Sequence, residues 1–161
     1  MAPAPPVVRA GEGKVVRVFD GDSLVVASGT ERIEVRLFGI DAPERTQPYS
    51  ARARRFCGEQ ALGRDVRLLP HGEDAYHRTL AEVILPDGRS LNRELVRAGL
   101  AWWYRRYVPD DTELEALERA ARTARRGLWA DTAPVAPWDF RAAQRVGGRE
   151  APRPESGNRP K

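Results

Sequence analysis

Two carboxylates, Asp41 and Glu44, flank Ala42 and Pro43 in "RLFGIDAPERTQ", directly after a short apolar run that opens on Arg36. Carboxylates in such a place either cap a turn or hold a cation and activate water. A further acid, Asp22, follows the "FDG" turn, and no histidine or cysteine is near either stretch in sequence. Oxygen-only ligands favour a hard cation, Ca²⁺ or Mg²⁺. With Arg36 facing a phosphate beside that cation, the set suits phosphodiester hydrolysis. The cation polarises the phosphoryl group, arginines neutralise developing charge, and a carboxylate activates or orients water. Singly, each motif has a plainer reading: "DGD" is a common hairpin turn with Asp20 as turn residue, and "DAPE" a turn in which Pro43 fixes φ and Glu44 is solvated. Taken with Arg36 and with "YHRTLAEV", which carries Arg78, the motifs favour chemistry over turn-making.

Strands must bring these residues together. "KVVRVFDGDSLVVASGTERIEVRLFGI" holds three apolar segments separated by "DG" and "SGTE", the turn chemistry of two successive hairpins. In the third segment Ile33, Val35 and Leu37 alternate with Arg32, Glu34 and Arg36, which puts Arg36 on the polar face. "DVRLLP" and "TLAEVILPDGRS" supply two more strands. Residues 49–62 carry Ala53, Phe56, Cys57 and Ala61 at helical spacing before Gly63, a second helix runs from a cap at Ser90 or Asn92 to Gly99, and the clearest helix spans about 112–126. In that last helix glutamates precede arginines, the order a helix dipole favours, so its arginines are read as helix-stabilising. Five short strands without βαβ alternation predict a mainly β, α+β fold: a small five-stranded antiparallel barrel of OB type with about three packed helices. Asp22 opens the second strand and Asp41 lies past the third; antiparallel neighbours place both at one rim. Trp102 and Trp103, adjacent in a strand, point to opposite faces, so at least one belongs to the core.

The chain of 161 residues is read as one domain, residues 13–131, with a flexible arm over 1–12, a partly packed extension over 132–148 anchored by Trp138 and Phe140, and a disordered basic tail over 149–161. The net charge is +4, yet residues 1–140 hold 21 Lys and Arg against 21 Asp and Glu, so the whole excess lies in residues 141–161. Phosphate binding by the domain therefore needs local placement of arginines or a bound cation. The single cysteine, Cys57, excludes an internal disulfide, and with Phe56 beside it the residue is read as packing rather than as a nucleophile.

The motifs "VFDGDSL", "VRLFGIDAPE", "DAYHRTLAEVILPDGRSLNRELVRAGLAWWY" and "GLW", in this order over roughly residues 13–131, resemble the staphylococcal nuclease family of thermonuclease-like enzymes. The resemblance implies the OB-type barrel and Ca²⁺-dependent cleavage of DNA and RNA that leaves 3′-phosphate ends. Carried over residue by residue, it implies that Asp22 and Asp41 bind the metal with the Ala42 carbonyl as a further ligand, that Glu44 activates water, and that Arg36 and Arg78 bind the scissile phosphate. Tyr76 and Tyr107 match substrate-contacting tyrosines. Arg105 stands where the family's founding member stacks a tyrosine on the base, and His77 replaces a glycine beside Arg78; both are carried as substrate-binding candidates.

The competing function is a non-catalytic OB-fold nucleic-acid-binding module, for which the loss of some of these acids or arginines is expected; all five side chains are present. The expected partners are DNA and RNA as substrates, with no membrane, no obligate protein partner and a monomeric state. The N-terminal stretch lacks the continuous apolar run of a secretory signal, which predicts an intracellular protein as written, or a secreted or periplasmic one if the N-terminus was trimmed.

Overall fold

In a computed structural model, residues 11–149 are described. Strands β1 (Gly11–Asp20), β2 (Ser23–Ser28) and β3 (Glu31–Leu37) form the meander expected from the two turn signals, and β5 (Asp65–Glu73) and β6 (Thr79–Ile84) complete a closed barrel in the order β1-β2-β3-β6-β5. Four of its pairings are antiparallel, but β3 and β6 run parallel, with Val35 opposite Thr79 and Leu37 opposite Ala81. The all-antiparallel expectation is corrected here for a simple reason: an odd ring of strands cannot alternate direction all the way round. Register shifts in β1, between Val15 and Arg17 and between Val18 and Asp20, bend that strand so that it pairs with β2 over one stretch and β5 over another. The strand begins at Gly11, so it takes in residues assigned above to the arm; the remainder of the arm and residues 150–161 lie outside the described residues.

Helix α1 (Ser50–Ala61) buries Ala53, Cys57 and Ala61, as its periodicity predicts. Burial pushes the Cys57 thiol up to about 12, which makes it inert as a nucleophile. Helix α2 (Leu91–Arg97) starts at Ser90, whose side chain accepts the Arg93 N–H, and α3 (Thr112–Thr123) starts at Asp111, which accepts the Leu114 N–H. The barrel core of Val15, Leu24, Val26, Val35, Leu37, Leu68 and Val83 is continuous with α1 and α2 through Ala53, Leu91 and Leu95.

Two further strands of two residues each escaped the sequence reading: β4 (Ile40–Asp41) pairs with β7 (Trp102–Trp103). The tryptophans do alternate, yet both are buried, at 8% and 7% exposure, because each face has its own cover. Trp103 joins the barrel core, and Trp102 joins a second cluster with Ala121, Leu128, Trp129 and Ala136. Arg122 of α3 lies over the Trp129 ring at 4.0 Å and pairs with the buried Glu118 at 2.9 Å, so it is spent on structure. A final helix, α4 (Pro137–Arg149), begins with proline at its first position and Asp139 in its first turn, both favoured at a helix start. Trp138 anchors it edge-on to Trp102, at 5.5 Å between ring centroids.

Asn92 locks the region next to the carboxylates. Buried at 2% exposure, it accepts the Val83 N–H at 3.0 Å and donates to the carbonyls of Phe38 at 3.0 Å and Ala81 at 3.1 Å, joining α2, β6 and the turn after β3. Asn92→Ala strands these buried groups and is expected to lower the unfolding free energy by about 3 kcal/mol in urea denaturation. A loss below about 0.5 kcal/mol contradicts this role.

Candidate active site

The site is built at one rim of the barrel by two turns and the end of β3. In the first turn, Asp20 Oδ1 accepts the Asp22 N–H at 3.0 Å and the Ser23 hydroxyl at 2.8 Å, which is the turn role expected of it. Gly21 lets this turn pack closely: a Cβ there would stand 2.7 Å from Ala53 Cβ and 2.9 Å from Ala42 Cβ. The close approach lets Asp22 Oδ2 accept the Ala42 N–H at 2.8 Å, while the Asp22 carbonyl accepts the Leu37 N–H at 2.9 Å. The "DGD" and "DAPE" motifs, 20 residues apart, are thereby fastened together.

Arg36 bridges the two aspartates. Its Nη1 lies 3.2 Å from Asp22 Oδ2 and donates to the carbonyls of Leu37 at 3.0 Å and Ile40 at 3.2 Å, while Nη2 lies 3.2 Å from Asp41 Oδ1. Asp41 is almost fully buried, at 1% exposure. Burial raises the Asp22 carboxyl to about 7, with Arg36 pulling it back and Asp20 pushing it further up. The Glu44 loop is held by Gln47, which accepts the Glu44 N–H at 2.9 Å and donates to the Val135 carbonyl at 3.0 Å. Just ahead of β6, Asp74 accepts the Arg78 N–H at 2.9 Å and pairs with Arg78 Nε at 2.7 Å. Despite slight burial, those bonds from Arg78 hold the Asp74 carboxyl below its ordinary value.

One cleft of 950 Å³ gathers Asp22, Arg36, Asp41, Glu44, Tyr76, Arg78 and Tyr107 in its lining. Three residues carried from the family resemblance are not in that lining: Ala42, buried behind the acids with its N–H on Asp22, and two that stand elsewhere. His77 does not line the cleft and has its side chain 88% exposed, with Nδ1 3.8 Å from Glu73. Arg105 is also outside the lining; it lies over the Trp103 ring at 5.1 Å and 3.7 Å from Glu118. Tyr104, unremarked in the sequence, lines the cleft and packs edge-on to Tyr107 at 4.6 Å.

The largest surprise is Arg141 of α4, counted above only as part of the basic excess. Its Nη2 pairs with Asp41 Oδ2 at 2.8 Å, and its Nη1 reaches both Asp41 Oδ1, at 3.2 Å, and Glu44 Oε1. Partial burial works against its charge, but the bonds to Asp41 and Glu44 outweigh that and hold its pKa above the ordinary value. Asp74, Gln47 and Arg141 all support residues that the motifs did identify, and local spacing offered a hint for Asp74, four residues before Arg78, and for Gln47, three residues after Glu44, but none for Arg141.

Among the described residues, no group of three or more His, Cys, Asp or Glu side chains is gathered as a ready metal cage. The donor chemistry nonetheless fits a hard cation: Asp22, Asp41 and Glu44 offer only oxygens, and a guanidinium stands on two of these acids as a surrogate positive charge.

The displaced carboxyl of Asp22 makes stability depend on pH. Between the ordinary aspartate value and about 7 the folded chain holds a proton that the unfolded chain has lost, so this group's contribution falls as pH rises. Asp22→Asn removes that dependence. In EDTA, its unfolding free energy relative to the unsubstituted chain is expected to be higher at pH 8 than at pH 5; an equal difference at both pH values refutes the shift.

Known proteins are similar to this chain over most of its length. The family model described as "Staphylococcal nuclease homologue" matches residues 34–131, the stretch that supplies Arg36, Asp41, Glu44 and Arg78. A protein named "Uncharacterized endonuclease" from Escherichia coli O157:H7 is 40% identical over 129 residues, covering 80% of this chain and 84% of its own length. A protein named "Micrococcal nuclease" from Shigella flexneri is 37% identical over 142 residues, covering 83% and 82%. Another "Uncharacterized endonuclease", from Haemophilus influenzae, is 37% identical over 134 residues, covering 83% and 74%. With the barrel, the fastened acidic turns and more than half the chain in agreement, the protein belongs to the staphylococcal nuclease family.

Proposed function

We propose that the protein is a Ca²⁺-dependent nuclease that hydrolyses phosphodiester bonds of DNA and RNA with little sequence specificity and leaves 3′-phosphate ends. The observation that carries the reading is the convergence of three acids and two arginines, Asp22, Asp41, Glu44, Arg36 and Arg78, on one cleft in a member of a nuclease family. Relatives named as endonuclease and micrococcal nuclease point the same way.

Asp22 and Asp41 would hold the cation, with the Ala42 carbonyl as a further ligand. When bound, the cation supplies positive charge that polarises the phosphoryl group. Arg36, at the end of β3, and Arg78, just ahead of the neighbouring β6, both line the cleft and would bind the non-bridging phosphate oxygens, most strongly as charge builds on them. Glu44 accepts a proton from the attacking water as the new P–O bond forms. The P–O5′ bond breaks, the departing 5′ oxygen takes up a proton, and the phosphate stays on the 3′ side. The exposed rings of Tyr76 and Tyr107, at 81% and 62% exposure, offer faces to the substrate's sugar and bases.

Single-stranded DNA and RNA incubated with the full chain and millimolar Ca²⁺ should be degraded, and excess EGTA should stop degradation. Glu44→Gln and Arg78→Ala should each lower kcat by about 100-fold or more while leaving the fold intact by circular dichroism. Full activity in EGTA, or in Glu44→Gln, contradicts the mechanism. Salt-sensitive binding without cleavage in Ca²⁺ would identify a binding module instead.

A further inference from the structure

Helix α4 reaches the site from outside the family's matching segment, which ends at residue 131. It is fixed at two points of different chemistry. Near its start, Trp138 packs against Trp102 and, at 5.2 Å between centroids, against Tyr104. One turn on, Arg141 pairs with both Asp41 oxygens and with Glu44. The segment leading into the helix is tied to the Glu44 loop through the bond from Gln47 to the Val135 carbonyl.

In this arrangement two proposed working groups are engaged. Both Asp41 oxygens face guanidinium groups, Oδ1 toward Arg36 and Arg141 and Oδ2 toward Arg141. Glu44 Oε1 is also taken by Arg141, so the carboxylate assigned to water carries a competing cation. A carboxylate oxygen bound to a guanidinium N–H at 2.8 Å cannot also hold a Ca²⁺ ion at ligand distance without driving two positive charges together. Arg141 has a way out: its side chain is 35% exposed and α4 presents an exposed face beyond it.

We infer that α4 is an autoinhibitory strap: Arg141 occupies the cation's place on the Asp41–Glu44 pair, and cation binding requires the guanidinium to leave. The inference rests on the reading of Asp22 and Asp41 as the cation's ligands. It gives the chain a resting form in which buried acids are neutralised internally, and an active form in which the cation takes over that task. Trp138 holds the strap near the site, so docking and release are steps within one molecule.

The test is calcium affinity of the full chain, measured by calorimetry. Arg141→Ala removes the competing charge and should tighten Ca²⁺ binding about five- to tenfold. Trp138→Ala leaves every charge in place but loosens the anchor, and should also tighten binding, by at least about twofold. Arg145→Ala, which removes an exposed charge one turn along the same helix, should change affinity by less than that. Circular dichroism checks that each variant is folded, and Arg141→Gln, which keeps most of the stem's packing, serves as a second neutral variant. Unchanged affinity in both Arg141→Ala and Arg141→Gln overturns the strap while leaving the cation reading standing. Equal tightening by Arg141→Ala and Arg145→Ala with none from Trp138→Ala reduces the effect to general charge and also overturns it. Absence of Ca²⁺ binding in the unsubstituted chain and every variant overturns both readings.

Discussion

The site depends on keeping negative charge at a largely buried barrel rim. Asp22 and Asp41 sit in surroundings that disfavour a bare carboxylate, and Arg36 is the partner that makes their presence tolerable. That guanidinium is itself held by two backbone carbonyls from the turn that follows β3. The acids and the arginine therefore determine one another's positions, and the turns are shaped to keep them so. The burial that raises the Asp22 carboxyl is only partly offset by Arg36, while Arg141 supplies the positive charge facing Asp41 and Glu44.

The barrel serves this constraint directly. Because five strands close with one parallel pair, β3 is flanked by β2 on one side and β6 on the other, and its end lies beside both the Asp22 turn and the segment leading to Arg78. Asn92 then fixes the turn after β3 from beneath. The Glu44 loop rests on the buried Gln47 and, through it, on the stretch ahead of α4. Charge from the C-terminal region thus reaches the acids in spite of a domain that is neutral in sum.

Much of this was legible in the sequence because it is local. Alternation gave the strands and put Arg36 on the polar face; the turn motifs placed Asp22 and Asp41 at one rim; helical spacing picked out Ala53, Cys57 and Ala61 for burial. Pairing direction was harder, since it is set by closure of the ring rather than by any one strand. The two-residue strands β4 and β7 are too short to show a period, so the burial of both Trp102 and Trp103 depended on a second cluster that no local pattern announces. Arg141 was missed for the same reason: it lies 100 residues from Asp41, among other arginines of an Arg-rich stretch, and only packing of Trp138 selects it. His77 and Arg105 entered through the family resemblance, and the cleft is lined without them.

The central claim is that one rim site, built on Asp22 and Asp41, takes a cation in order to work on phosphate. A crystal structure of the full chain grown in saturating Ca²⁺ tests it most directly. The account predicts a single ion ligated by the Asp22 and Asp41 carboxylates, with Arg141 moved off Asp41. Crystals of catalytically active protein in which that site holds no ion and the Asp41–Arg141 pair is intact would contradict it.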